Sequence, residues 1–447
     1  MTQQKRLGFC IMAIVLMALA CGPFQASIIT PVPSSTSTLT GTLAPSPTLT
    51  PTDTQVPIPT PTNTVTPTST PPVKRNGPFR GVTSLADLPL DSSGDVQVRT
   101  LSDGSVWIIT SQSVLRWDGQ MWEVVLSESK DMLAAVDDGG RLWVLRQDAS
   151  EIAAWQDGQW TTYGADSGWT STYISGIARW WAPAPWRAYS GAAGTFWLPM
   201  EQDVRLFDGS RWNRYTLEDM GFPAMEAEDI GIVHSLAVRE DGAEVWVGEC
   251  YYSGPGPMGG KGVRWFDGKT WHEVEAPVGS KCVSVIEIDS LNNVWLAGSD
   301  VVRRYEPESQ TWTSYLLPEA LLMDYNFTRP LQLIVDRAGD VWVMMEMCGG
   351  ASCSSLANIY RIHNGEWSLV IDSQDWNLSR KQLVLDGSGQ GWLFYDGTVY
   401  QLEAESIQSV ASIMVRSVDV SPDGRMWVLD ESEDDPTLWI FEPEGAE

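Results

Sequence analysis

The chain has 447 residues, 43% of them hydrophobic and 19% charged, with 57 acidic side chains against 29 basic ones. Its formal charge of -28 argues against a nucleic-acid partner, because phosphate contacts need a basic surface that releases counterions. Three histidines argue against a multi-histidine metal site, and 23 tryptophans call for an explanation in architecture or in ligand.

The chain opens with Lys5 and Arg6, then an apolar run from Leu7 to Ala20, then Cys21. That run is too short for a spanning helix, which needs about 20 apolar residues, and the small residue before Cys21 suits a signal peptidase. The arrangement resembles a bacterial lipoprotein signal, although Ala18 stands where leucine is most typical. It implies a signal peptide over residues 1–20, with Cys21 as the lipidated start of the mature protein and residues 21–30 leading away from it. The rest of the chain is then expected outside the cytoplasm, anchored by lipid to the membrane or cell surface.

From Pro31 to Pro72 the sequence is almost entirely Thr, Pro and Ser, and Asp53 is its only charge. No core can form from such residues. Polyproline II is the favoured local state, with a fully extended reach of roughly 130 Å. Residues 31–76 are therefore expected to be a disordered stalk that lifts residues 77–447 away from the anchor.

After Gly77 a repeat begins: an alternating apolar strand, a turn, an apolar-Trp-apolar triplet, a variable piece, then aromatic-Asp-Gly-x-x-Trp. The first tryptophan falls at Trp107, Trp143, Trp197, Trp246, Trp295, Trp342, Trp392 and Trp427, which gives eight units. A second follows at Trp122, Trp160, Trp212, Trp271, Trp312 and Trp367, most often after an Asp-Gly pair that supplies a tight hairpin turn. Each unit reads as a four-stranded meander, which cannot bury both faces by itself and must stack on its copies. The expected fold is all-β: a β-propeller of eight four-stranded blades, with seven blades or an open solenoid as the alternatives. Unit eight stops after its third strand, near Phe441, so the segment Gly77 to Leu90 is expected to supply the missing outer strand and seal the ring. In unit three the first strand is either Ile174 to Ala178 or Arg187 to Ser190, and the choice decides where Trp180, Trp181 and Trp186 lie.

Strings such as Asp340-Val341-Trp342-Val343 and Gly262-Val263-Arg264-Trp265-Phe266-Asp267-Gly268 resemble the two-component regulator propeller repeat over roughly residues 90 to 445. That repeat occurs in extracytoplasmic sensor regions of bacterial hybrid histidine kinases and in free-standing secreted proteins. The resemblance implies a ligand-binding or scaffold propeller similar to the sensor part alone, because no kinase segment appears up to Glu447.

Motifs of catalysis are missing: there is no GxSxG, HExxH, Walker loop or CxxC pair. His234, His272 and His363 fall on repeat strands or turns and read as local structure, and Asp430, Glu431, Glu433, Asp434 and Asp435 read as a solvated acidic loop. No cofactor and no metal is expected. Four cysteines remain beyond residue 21, and in an exported domain they suggest disulfides, Cys348 with Cys353 and Cys250 with Cys282. Connections between strands one and two, or three and four, are mostly short Asp-Gly turns. Those between strands two and three, or from one unit to the next, are long, and they open on the opposite face. Long loops on a rigid scaffold are where binding residues concentrate. The ligand-binding candidates are accordingly Tyr251, Tyr252, Asp324, Tyr325, Asp375 and Trp376, aromatics and carboxylates outside the repeat positions, suited to a glycan, peptide or protein partner. A monomeric binding module is expected, and a propeller lyase or quinone-dependent dehydrogenase is the alternative.

Overall fold

In the computed structural model, residues 74–443 are described except for stretches confined to connections, the longest being 171–188, 275–281, 320–326, 349–355 and 373–380. Cys21 and the stalk lie outside the described residues. Alternating apolar residues produce eight antiparallel sheets, seven of them meanders in which every strand pairs with its successor. Blade one starts at Gln97–Thr100, blade two at Met132–Val136, blade three at Tyr189–Ser190 and blade four at Asp229–Val238. Blades five to eight start at Val283–Ile288, Phe327–Val335, Gln382–Leu385 and Val415–Val420. Ala165–Ser167 forms one turn of 3-10 helix.

The eight repeat tryptophans are all buried, and each lies in a separate apolar cluster shared by two adjacent blades. Trp143 of blade two meets Phe196, Phe207 and Trp212 of blade three, while Trp427 of blade eight shares one cluster with Val106, Ile108 and Trp117 of blade one. A wedge that widens away from the axis favours a large flat side chain, which accounts for most of the tryptophan content.

Closure uses the chain's own beginning. Strand Phe79–Ser84 pairs antiparallel with Thr437–Phe441 as the outer strand of blade eight, and Arg75–Asn76 adds a fifth strand beyond it. The propeller therefore starts slightly before Gly77. Phe79 is fully buried between Trp392, Phe394 and Phe441, and Asn76 exchanges hydrogen bonds with the backbone of Ser412 on blade seven. A Cβ on Gly77, whose φ is +58°, would sit 2.0 Å from the Val410 carbonyl oxygen, so only glycine fits this crossing.

Two repeated devices were not evident from the Asp-Gly pattern. In blades two, five, six and seven an aspartate six residues before the repeat tryptophan accepts its indole N–H: Asp137, Asp289, Asp336 and Asp386, at 2.8–3.0 Å. The other carboxylate oxygen caps the turn between strands one and two, as when Asp336 accepts the backbone N–H groups of Ala338 and Asp340. The second device joins neighbouring first strands. Ser235 Oγ donates to the Val283 carbonyl, Ser284 Oγ to the Pro330 carbonyl, and Gln332, Gln382 and Ser417 accept the Leu383, Val418 and Val98 N–H groups. Polar side chains around the axis thus fasten blades four, five, six, seven, eight and one in sequence.

Candidate functional site

The first strand of blade three is Tyr189–Ser190, in register with Trp197 and Phe196. The tryptophan-bearing stretch 171–188 precedes this strand in sequence, between blades two and three, whose connection opens on the long-loop side, and it lies outside the described residues. On that side the connections are pinned by buried arginines reaching back from the next blade. Arg205 lies 4.1 Å over the Trp169 ring and donates to the Thr170 carbonyl at 2.9 Å. Arg264 repeats this with Phe222, at 4.6 Å, and the Gly221 carbonyl, at 2.9 Å. A cation over an aromatic face gains most where water is excluded, as it is here.

Blades four and six differ from blade five in strand length. Blade five uses Val283–Ile288, Val294–Gly298 and Val301–Glu306. Blade four has Asp229–Val238, Val245–Ser253 and Gly259–Phe266, and blade six has Phe327–Val335, Val341–Cys348 and Leu356–His363. All three blades align at their short-turn ends, where Val238 pairs with Val245, Ile288 with Val294 and Val335 with Val341. The extra residues therefore project on the long-loop side, Cys250 to Ser253 by about 13 Å and Glu346 to Cys348 by about 10 Å at 3.3 Å per residue. Two raised hairpins stand on either side of blade five.

A disulfide joins Cys250, on the blade-four hairpin, to Cys282, the residue that leads into the first strand of blade five, with Cα atoms 4.6 Å apart. Both are buried beside Ile232. Tyr251 follows on the same hairpin, half-buried: Lys261 Nζ lies 5.1 Å from its ring centre, and Gly259 leaves space for the ring across the hairpin. Tyr252 pairs with Ile230 through its backbone. Asp324, Tyr325, Asp375, Trp376 and Cys353 lie outside the described residues, as does the side chain of Cys348. Of the sequence-derived candidates, Cys250, Cys282, Tyr251 and Tyr252 thus share one hairpin base.

Beneath the hairpins is a polar nest that includes His234, which reads from the sequence as local structure. His234 is the extra residue of a β-bulge between Val233 and Ser235, and its Nδ1 lies 3.2 Å from the Ser284 carbonyl oxygen. A carbonyl can only accept, so Nδ1 carries the proton and Nε2 is an enclosed lone pair with no partner among the described residues. Burial, and then the positive charge of Arg329, hold the imidazole pKa down to about 4. Arg329 pairs with Glu346 at 2.7 Å, both buried and directly opposite each other in blade six. Glu249 is also buried and accepts the Lys261 backbone N–H at 2.6 Å. In the sequence Arg329 and Glu346 are single opposite charges in two largely apolar strands, and only the pairing register brings them together. For His234 there was no signal, because a bulge shifts the strand phase without altering composition.

The other face is built differently. In its turns Asp118, Asp208 and Asp267 each accept two backbone N–H groups, and these bonds hold all three carboxyls below their ordinary value. His272 hydrogen-bonds Asp267 there, and His363 reaches Asp340 at 2.5 Å beside Arg361. Of the acidic stretch on the long-loop side, Asp430 is buried and accepts the Trp439 indole N–H at 3.1 Å. Among the described residues no three of His, Cys, Asp and Glu converge as a metal site would require.

No protein-family model and no curated protein matches the chain. Solved structures do. A virginiamycin B lyase from Staphylococcus aureus is 13% identical, with 81% of this chain and 98% of that one covered and a TM-score of 0.40. PorZ, a bacterial surface component of the type-IX secretion system of Porphyromonas gingivalis, is 14% identical, with 74% and 54% covered and a TM-score of 0.37. The extracellular domain of a hybrid two-component system from B. thetaiotaomicron is 14% identical, with 79% and 52% covered and a TM-score of 0.33.

Proposed function

We propose that this protein is a surface-tethered bacterial lipoprotein whose propeller binds an extended ligand, a glycan or a peptide segment of another protein, across the long-loop face. The difference between the two faces carries this reading. Short turns capped by their own aspartates leave little polar capacity for a partner. The opposite face raises two hairpins about 10 Å or more above blade five, with Tyr251 and Tyr252 on one of them. Walls flanking a lower floor suit a chain-like ligand, and aromatic rings with nearby carboxylates suit sugar rings or peptide groups. The propeller acts as a binding module similar to the sensor part of two-component regulator propellers, and the sequence of the stalk and of the segment ending at Cys21 supports an extracytoplasmic location.

The test is alanine substitution at Tyr251, Tyr252, Tyr325 and Trp376, read on a glycan and peptide array against a matched set in the short turns. Loss of binding is expected in the first set alone. Binding disturbed only by the short-turn set would place the functional face on the other side. Tethering is tested separately: labelled palmitate incorporation should vanish in Cys21→Ser.

A further inference from the structure

His234 sits where three blades meet around the axis. On blade four it is the bulged residue of the first strand, and Glu249 lies buried in register with Val233 beside it. From blade five it faces the Ser284 carbonyl, and Ser284 Oγ passes the connection on to the Pro330 carbonyl of blade six at 3.0 Å. Also from blade six comes Arg329, held by Glu346. The neutral imidazole satisfies this environment by donating once through Nδ1. A second proton on Nε2 would have no acceptor among the described residues and would add positive charge opposite a guanidinium.

We propose that His234 is an acid-sensitive latch between blades four and five, whose protonation releases the bulge and loosens the base of the raised blade-four hairpin. The latch is a property of the ring and does not depend on what the long-loop face binds. The direction follows from linkage. An open His234 regains its ordinary value of 6.5 while the closed one stays near 4, so closure is fully favoured above pH 6.5 and is weakened as pH falls toward 4. Across that window the opening constant should rise about tenfold per pH unit. The carboxylates held below 3.8 in the short turns titrate beneath the window and lie on the other face.

The experiment is hydrogen exchange by mass spectrometry on the full chain from pH 7 to pH 4, corrected for the intrinsic pH dependence of exchange. Protection of Asp229–Val238 and Val283–Ile288 should fall about tenfold per pH unit, while Leu142–Arg146 of blade two keeps its protection. In His234→Asn, which can still donate to the Ser284 carbonyl, the slope should vanish. A flat profile in the wild type, an equal slope in blade two, or an unchanged slope in the variant would overturn the latch. Should the variant not fold, imidazole NMR of the wild type decides, since the chain has only three histidines. A His234 signal that stays in the neutral Nδ1–H form to near pH 4 supports the latch, and one titrating at its ordinary value overturns it.

Discussion

Replacing Phe79 with alanine tests whether the chain's beginning holds the ring shut. The side chain is fully buried, with ring centres of Trp392 at 6.0 Å, Phe394 at 6.3 Å and Phe441 at 5.7 Å, and it packs with Val428 and Trp439 in the seam between blades seven and eight. Truncating a buried phenylalanine costs about 3–5 kcal/mol through lost transfer energy and the cavity left behind. The upper half of that range is appropriate here, because four of its neighbours, Trp392, Phe394, Phe441 and Trp439, are aromatic rings that cannot collapse inward. Phe207→Ala in blade three is the control: it too is fully buried and ringed by Trp143, Phe196 and Trp212. Urea unfolding followed by tryptophan fluorescence should show comparable losses for both. Hydrogen exchange should separate them, with Val415–Val420, Met426–Asp430 and Thr437–Phe441 deprotected first in Phe79→Ala only. A loss below about 1 kcal/mol, with blade-eight exchange unchanged, would show that closure does not depend on this strand.

Three further outcomes can be checked independently. Asp336→Ala removes the acceptor of the Trp342 indole and the cap of two backbone N–H groups, so a thermal or urea melt should show a loss of about 1–3 kcal/mol. Cys250→Ala with Cys282→Ala opens a link of sequence separation 32, for which chain entropy gives roughly 4 kcal/mol, and the double variant should unfold at correspondingly lower urea. Asp118 and Asp208 are depressed below 3.8 chiefly by backbone hydrogen bonds, so their stabilisation is present above pH 3.8 and lost as pH falls through the lower folded values. The melting difference between wild type and Asp118→Asn/Asp208→Asn should accordingly shrink on acidification below pH 3.8.

The ring was legible because it is written in a repeated period. Each of the eight repeat tryptophans marks an equivalent wedge, and the missing fourth strand of unit eight pointed to the segment after Gly77 for closure. The aspartate lock was written just as plainly in the six-residue spacing from Asp137 to Trp143, Asp289 to Trp295, Asp336 to Trp342 and Asp386 to Trp392. It escaped notice because Asp-Gly is also the ordinary turn signal, and one residue type served both purposes. The height of the hairpins was not legible: the run Glu249 to Gly262 looks like a loop rich in glycine and proline, yet strand pairing continues through Tyr251 to Gly259. Register decides that, and register depends on the partner strand more than on local composition.

The polar nest was the least legible part, and its burial bears on why it is there. A buried ion pair such as Arg329 with Glu346 is seldom more stable than apolar residues of the same volume, because the desolvation of both charges offsets their attraction. The apolar seams elsewhere show that this ring can be packed without charge. At the meeting of blades four, five and six it holds a guanidinium, two carboxylates and a neutral imidazole with one lone pair enclosed. All of them lie at the base of the raised hairpins, where the disulfide also restrains blade four against blade five. A restraint that resists general loosening, set beside a group that responds to a single proton, confines any acid response to the bulge and leaves the remaining seams closed.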